Sequence, residues 1–330
     1  MKLKVSNNFD ILRLILAVLV FFAHWNILTS QDISNQLFHL SGYAVHMFFI
    51  VSGFLIFWSF DADQNKKHFY IKRFFRIFPL YAFLIILQTL FFIGFSDGST
   101  FEVIKYFIAN IFFLNFLAPS VGSTLSSLEV NAINGSLWTL KNEVVFYLIV
   151  PLLFMFYKKW GGYILLILYS LSVVYMFAVD YLGMEKLLVQ FPAQVRLFMV
   201  GILLYILFDK FNKNNIYLLA IVSLILLIVL KDNTYFNYIL YPFCIGFMMI
   251  FLVYFVKNIK VNFDFSYSLY ILHFPVIQLA LYFEINPTNP IISFVVLFAV
   301  ILVLSYFSEK YIEKRFIKIG REIVKKDKSA

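Results

Sequence analysis

The sequence predicts an all-α fold, a polytopic bundle of about ten membrane-crossing helices plus one re-entrant or interfacial segment, with both termini cytoplasmic. Three observations predict it. Of 330 residues, 62% are hydrophobic and only 14% charged, where soluble domains run near 45–50% apolar and about 25% charged. Apolar runs long enough to cross a bilayer recur along the whole chain. The basic residues gather in alternate connections between those runs.

A membrane helix needs roughly 20 mostly apolar residues to cross about 30 Å of hydrocarbon. That ruler finds segments near 9–28, 43–60, 76–95, 101–118, 138–157, 160–179, 188–208, 216–231, 235–256, 265–283 and 291–308. Of 27 basic residues, 20 lie in 1–8, 61–75, at Lys158, Lys159, Lys210, Lys213, Lys257 and Lys260, and in 309–330. If segment 101–118 does not cross, all these stretches fall on one side, as the positive-inside rule asks. That segment, with Lys105, Asn110 and Asn115, is therefore read as interfacial or re-entrant. Lys2 and Lys4 precede a long apolar stretch that carries Arg13 and His24 and no cleavage site, so it reads as the first membrane helix and not as a signal peptide. There is no internal repeat or low-complexity linker, and 1–330 reads as one membrane domain.

The net charge of +9 follows topology, so no nucleic-acid partner is expected. The lone Cys244 rules out an intramolecular disulfide and a cysteine-rich metal site. It reads as a buried small hydrophobe.

Ionisable groups inside spans cost free energy and usually face protein. They are Asp10, Arg13, His24, His46, Arg76, Lys141, Glu143, Arg196 and His273. Asp10 and Arg76 suit snorkelling to headgroups. Arg13 and His24 are separated by close to three helical turns, on one stripe and roughly 16 Å apart. The stripe places a cation low and a general-base candidate high, or two unrelated polar residues paired with neighbours. In Lys66–Arg76, read as a loop, Lys72, Arg73 and Arg76 fit positive-inside charge or headgroup contact. They also fit an anion pocket for the phosphates of a nucleotide-like donor. Asn134-Gly135 signals a turn, and Ser136 suits the N-cap of the next helix. Glu143, two turns on, suits orientation of a histidine or a salt bridge with Lys141 or Arg196. His273, five residues after Ser268, suits a helix–helix hydrogen bond, and Pro275 bends its helix. His46 reads as bland, as do His39 and His68, both placed in loops.

Together these segments resemble the membrane acyltransferase family 3 across nearly the whole chain. FDILRLILAVLVFFAHW resembles its opening helix, with Arg, ten residues and then His. VHMFFIVSGFLI, YIKRFFRIFPLY, NGSLWTLKNEVVFYLIVP, SYSLYILHFP and YIEKRF resemble the following blocks in order. Departures are Ala44-Val45 for Gly-Val, His46 where an acidic residue is usual, and Arg315 for a proline. No hydrolase-like domain follows the last block.

The resemblance implies transfer of an acyl group, usually acetyl, from acyl-CoA to a carbohydrate hydroxyl at the cell (plasma or inner) membrane. It implies His24 as the catalytic base, Glu143 as the acidic position, and Arg13, Lys72, Arg73 and Arg76 on the donor side. Ser136, Trp138, Arg196, Ser268 and His273 are expected to support substrate or structure. No metal is expected. The rival reading is a transporter or flippase of a glycan precursor, against which stands the lack of paired, Gly- or Pro-broken repeats. A third is a non-catalytic subunit of an envelope-building complex.

Overall fold

The computed structural model describes residues 7–31, 35–259, 261, 263–285 and 289–329, with backbone only for 35–40. Lys2, Lys4 and Lys260, expected as topology charges, lie outside the described residues, as does the side chain of His39.

Among the described residues every regular element is helical. In chain order they are α1 (Phe9–Thr29), α2 (Asn35–Ala62), α3 (Lys66–Phe95), α4 (Thr100–Ile111), α5 (Leu137–Trp160), α6 (Tyr163–Tyr181), α7 (Phe191–Ile206), α8 (Lys213–Val229), α9 (Thr234–Ile239), α10 (Tyr241–Ile250), α11 (Ser266–Tyr282), α12 (Pro290–Ser308) and α13 (Lys314–Ser329). Among the described residues, seven stretches are long and apolar enough to cross a membrane: Phe9–Thr29, Ser41–Ala62, Lys66–Phe95, Leu137–Trp160, Tyr163–Tyr181, Glu185–Ile206 and Pro290–Ser329. Lys213–Val229 and Tyr241–Phe255 are shorter and apolar. The 17 residues of α11 span roughly 26 Å at the helical rise.

The stretch 101–118 forms only the 12-residue α4 and a turn of 3-10 helix at Asn115–Leu117. Such a helix is about 18 Å long, short of the hydrocarbon thickness. Ser99 and Glu102 cap its start reciprocally, as a capping box does. Lys66–Arg76 is not a loop. The Asn65 side chain accepts from the His68 backbone N–H at 3.1 Å, so α3 starts before its basic residues, and His68 sits buried in the first turn. His39 likewise falls within α2.

The chain is shared by two compact units. One comprises Met1–Leu16, Gly42–Phe69 and Asn142–Asn262, the other Ala17–Ser41, Tyr70–Lys141 and Phe263–Ala330. Their boundaries fall within α1, α2, α3 and α5 and just before α11.

In the first unit α2 and α7 meet backbone to backbone. A Cβ added at Gly201 would sit 2.1 Å from the Ile50 carbonyl oxygen, an approach small residues allow in membranes. The expected span 235–256 is broken, and proline is the reason. Pro242 has no N–H to give the Tyr238 carbonyl four residues back. Arg196, buried on α7, takes that place. Its Nη1 donates to Tyr238 O at 3.1 Å and to Asn237 O at 2.7 Å. The Tyr169 hydroxyl donates to the next carbonyl, Ile239 O. Without water, each such oxygen needs a donor from the protein. The Arg196 guanidinium also lies 6.0 Å from the ring centre of Tyr241, whose hydroxyl is 2.7 Å from His46 Nδ1.

In the second unit the region 96–137 is anchored on a buried cluster that includes Phe91, Phe92, Tyr106, Val121, Leu125 and Ile133. Tyr106 donates to Gln88 at 2.7 Å. Asp97 accepts from the backbone N–H of Ser123 at 2.9 Å and from the hydroxyls of Ser123 and Thr124.

Arg196→Met leaves two half-buried carbonyls without their donor, at up to about 1–3 kcal/mol each. The midpoint of thermal denaturation in detergent falls. Pro242→Ala returns an N–H at the Tyr238 carbonyl, so Arg196→Met costs less in that background. Strictly additive losses in the double variant would show that the two residues are not coupled.

Candidate active site

The second unit brings His24 and His273 together. His24 Nδ1 lies 2.7 Å from His273 Nε2, and the rings stack at 4.9 Å with planes 19° apart. His273 Nδ1 lies 3.0 Å from the Leu269 carbonyl oxygen. A carbonyl oxygen only accepts, so His273 Nδ1 carries the proton. In the neutral ring His273 Nε2 is then an acceptor. It takes the proton on His24 Nδ1, and the lone pair of His24 is left on Nε2. The chain of bonds from a backbone carbonyl thus sets the tautomer of His24.

Pro275 explains why this part of α11 can be built on. It cannot donate to the Ile271 carbonyl. Asn134 fills the gap, donating from Nδ2 to Ile271 O at 2.9 Å. Asn134 Oδ1 accepts from the Ser136 hydroxyl at 2.6 Å. Ser136 immediately precedes α5, and its hydroxyl also lies 3.4 Å from Tyr270 O. Thr139 and Tyr270 join their hydroxyls at 2.7 Å. The Asn134-Gly135-Ser136 turn is thereby docked on the opened turn of α11. Below it, Ser268 donates to Phe265 O and Ser305 O at 3.1 and 3.0 Å, tying α11 to α12. Above it, Gln278 donates to Val130 O and Ala132 O, each at 2.7 Å.

Aromatic rings enclose the histidines. Phe274 meets His24 edge to face at 5.1 Å, and Phe21 meets His273 at 6.2 Å. The buried Trp25 and Phe21 hold α1 against Phe294 and Phe298 of α12. Gly135 has room for no side chain: an added Cβ would lie 2.7 Å from two ring carbons of Phe274.

Beside this turn is a cavity of about 140 Å³. Its lining includes Asn115, Phe116, Asn134, Gly135, Trp138 and Lys141. The Lys141 ammonium stands 4.8 Å from the ring centre of Phe116.

The other expected residues fall as follows. Lys72, Arg73 and Arg76 lie on α3 in this same unit. Arg76 does not only snorkel: its Nη2 pairs with Asp264 at 2.8 Å, and Glu313 lies 4.0 Å from Nη1. Lys314, which follows a turn of π-helix at Glu309–Glu313, pairs with Glu309 at 2.8 Å. Arg13, Glu143 and Arg196 belong to the first unit. Glu143 accepts from Ser52 at 3.3 Å and from the Tyr147 hydroxyl. Arg196 is spent on backbone carbonyls, as described above. Sequence reasoning missed the pairing of His273 with His24, the role of Asn134 and the position of Phe274. Only Pro275 signalled them, by marking a carbonyl that needs a donor from elsewhere.

Gly135→Ala forces the Phe274 ring aside in packed surroundings and costs about 1–3 kcal/mol of stability. Phe274→Leu in the same chain recovers part of that loss, readable as a shift in the denaturation midpoint in detergent. No recovery would mean the clash lies elsewhere.

Comparison with known proteins places this geometry in context. A family profile for an acyltransferase domain, acyltransferase family 3, matches residues 6–309. An O-acetyl transferase of Shigella phage Sf6 is 30% identical over 335 aligned positions, covering 94% of this chain and 96% of that protein. Nodulation protein 10 of Rhizobium leguminosarum bv. viciae is 30% identical over 173 positions, 47% of this chain and 46% of that protein. No solved structure matches the chain. With the profile spanning nearly its whole length and the phage relative aligned end to end, the chain belongs to the membrane acyltransferase family 3 and is a multi-pass membrane acyltransferase.

Proposed function

We propose that the protein transfers an acyl group, acetyl in the first instance, from cytoplasmic acyl-CoA to a hydroxyl of a cell-surface or lipid-linked carbohydrate at the cell (plasma or inner) membrane. In this reading the chain crosses ten times with both termini cytoplasmic: the seven long stretches together with α8, the α9–α10 region and α11. The distribution of basic residues supports that topology. The phage relative's name supports an acetyl group moved to oxygen.

The observation that carries the reading is the bond chain from Leu269 O through His273 to His24. It presents a lone pair at His24 Nε2, which is what a general base for a hydroxyl requires. His24 Nε2 takes the proton as the hydroxyl oxygen attacks the thioester carbonyl. The C–S bond breaks, and the proton then passes from His24 to the departing sulfur. His273 acts through His24 as a positioning residue. It accepts from His24 Nδ1 throughout and shares the charge while the imidazolium exists.

Lys72, Arg73 and Arg76 are proposed to hold the phosphates of the donor. Arg76 is held in place by Asp264, and the planar fork of a guanidinium matches the oxygens of a phosphate. Glu143 and Arg13 keep the roles that the resemblance implies, the acidic position and a donor-side cation. Ser136 and Ser268 support the fold of the site through their bonds to α11 and α12.

A positioned base contributes about 10²–10⁴-fold to rate. His24→Ala is expected to remove acyl ester from surface glycans while the protein stays folded in the membrane. His273→Ala should lower transfer less than His24→Ala. His273→Gln, whose carbonyl oxygen also accepts from His24 Nδ1, should restore part of it and alter the pH profile. The measurement is ester content of glycans from cells carrying each variant. Full ester content with His24→Ala would end the base assignment; equal loss with His273→Ala and His273→Gln would end the positioning role.

A further inference from the structure

The cavity beside the Asn134-Gly135-Ser136 turn has the chemistry of a saccharide pocket. A sugar ring presents C–H faces and hydroxyl edges, so it needs aromatic walls and amide groups side by side. Trp138 and Phe116 supply the walls, and Asn115 and Asn134 the amides. The amide of Asn115 has a fixed orientation. Asn110 spends its Nδ2 on the carbonyls of Tyr106 and Ala118, each at 2.8 Å, so its Oδ1 must accept. It accepts from Asn115 Nδ2 at 2.7 Å, and the same Nδ2 lies 3.0 Å from the Tyr81 hydroxyl. Asn115 Oδ1 is left buried with no partner. Asn115 is one of the residues that line the cavity, and a buried acceptor without a partner is satisfied once a donor reaches it, which a sugar hydroxyl can supply.

Size and place agree. At about 140 Å³ the cavity is smaller than the ~300–1,000 Å³ clefts that take drug-sized ligands, and suits a single ring. Gly135 lines it on one side and carries Phe274 on the other, and Phe274 meets His24 at 5.1 Å. We propose that this cavity binds the acceptor as one pyranose ring, with Asn115 Oδ1 accepting from a ring hydroxyl and the hydroxyl to be acylated directed past the edge of Phe274 to His24. The proposal rests on the carbohydrate-acceptor reading above and adds the place and the residues that select the sugar.

The test uses the full chain in lipid nanodiscs with acetyl-CoA and, as acceptor probes, the methyl glycosides of glucose, galactose, mannose and rhamnose. Ester formed is measured against the concentration of each partner. Asn115→Ala and Trp138→Leu are expected to raise the acceptor KM tenfold or more and to move the acetyl-CoA KM less than twofold. Ala132→Phe, which fills the cavity without touching the amide network, should act the same way and guards against a variant that merely misfolds. If the wild type esterifies a glycoside and these three substitutions leave the acceptor KM unchanged, the cavity is not the acceptor pocket, while the enzyme reading stands. If the wild type esterifies none of the probes, the carbohydrate reading falls and the pocket assignment falls with it.

Discussion

In this protein a single missing N–H organises the site. Pro275 leaves the Ile271 carbonyl without its helical donor, in surroundings where water cannot replace it. The Asn134 side chain supplies the donor at 2.9 Å, and this bond brings the turn before α5 onto α11. Everything else at the site hangs on that docking. Gly135 is pressed against Phe274, Phe274 against His24, and the helix that carries Pro275 also carries His273. Pro242 and Arg196 repeat the device in the other unit. In both cases the polar side chain sits within the bilayer's reach because the backbone needs it. An in-membrane Arg or Asn is therefore not by itself a mark of catalysis here.

That distinction separates two kinds of buried polar group. Arg196 and Asn134 complete a backbone, each donating to a carbonyl that a proline leaves without its helical donor. His24 finishes nothing. Its Nδ1 is committed to His273, which leaves the lone pair on Nε2. The order of protons along Leu269 O, His273 and His24 follows from the first member alone, since a carbonyl admits no other assignment. On the proposed reading, a base whose tautomer is set before substrate arrives loses no free energy in reorganising when the proton moves, which is the advantage of preorganisation.

Much of the fold was legible in the sequence because the bilayer imposes a simple ruler. The windows 9–28 and 138–157 coincide closely with α1 and α5, and the stretch 101–118, which the basic connections mark as interfacial or re-entrant, forms a helix of only 12 residues. The ruler failed where composition stops being informative. Lys66–Arg76 looked like a loop by charge, yet cations do not forbid a helix, and the Asn65 cap begins one there. The window 235–256 looked continuous by hydropathy, yet Pro242 breaks it. At the site, the sequence marks His24 as a candidate by its place on the first helix and by the family blocks. Its partner is not marked, because 249 residues separate them and no local pattern encodes a contact across helices. Asn134 read as turn chemistry for the same reason: its second partner lies 137 residues on.

The charge at the other end of α3 bears on direction. Arg76, Asp264, Glu309, Glu313 and Lys314 form one cluster, and Asp264 is tied to the start of α11 through Ser266 at 2.6 Å. The same helix that bears His273 is therefore joined, by way of Asp264, to the basic segment proposed to receive the donor's phosphates. A phosphate taken up by Arg76 competes with Asp264 for one guanidinium and so alters the hold on the first turn of α11. The rest of α11 is fixed independently, by Ser268 to Ser305 and by Asn134 to Ile271. On the proposed reading those two ties insulate the histidine pair from the change, so that filling the donor end leaves the geometry of the base intact.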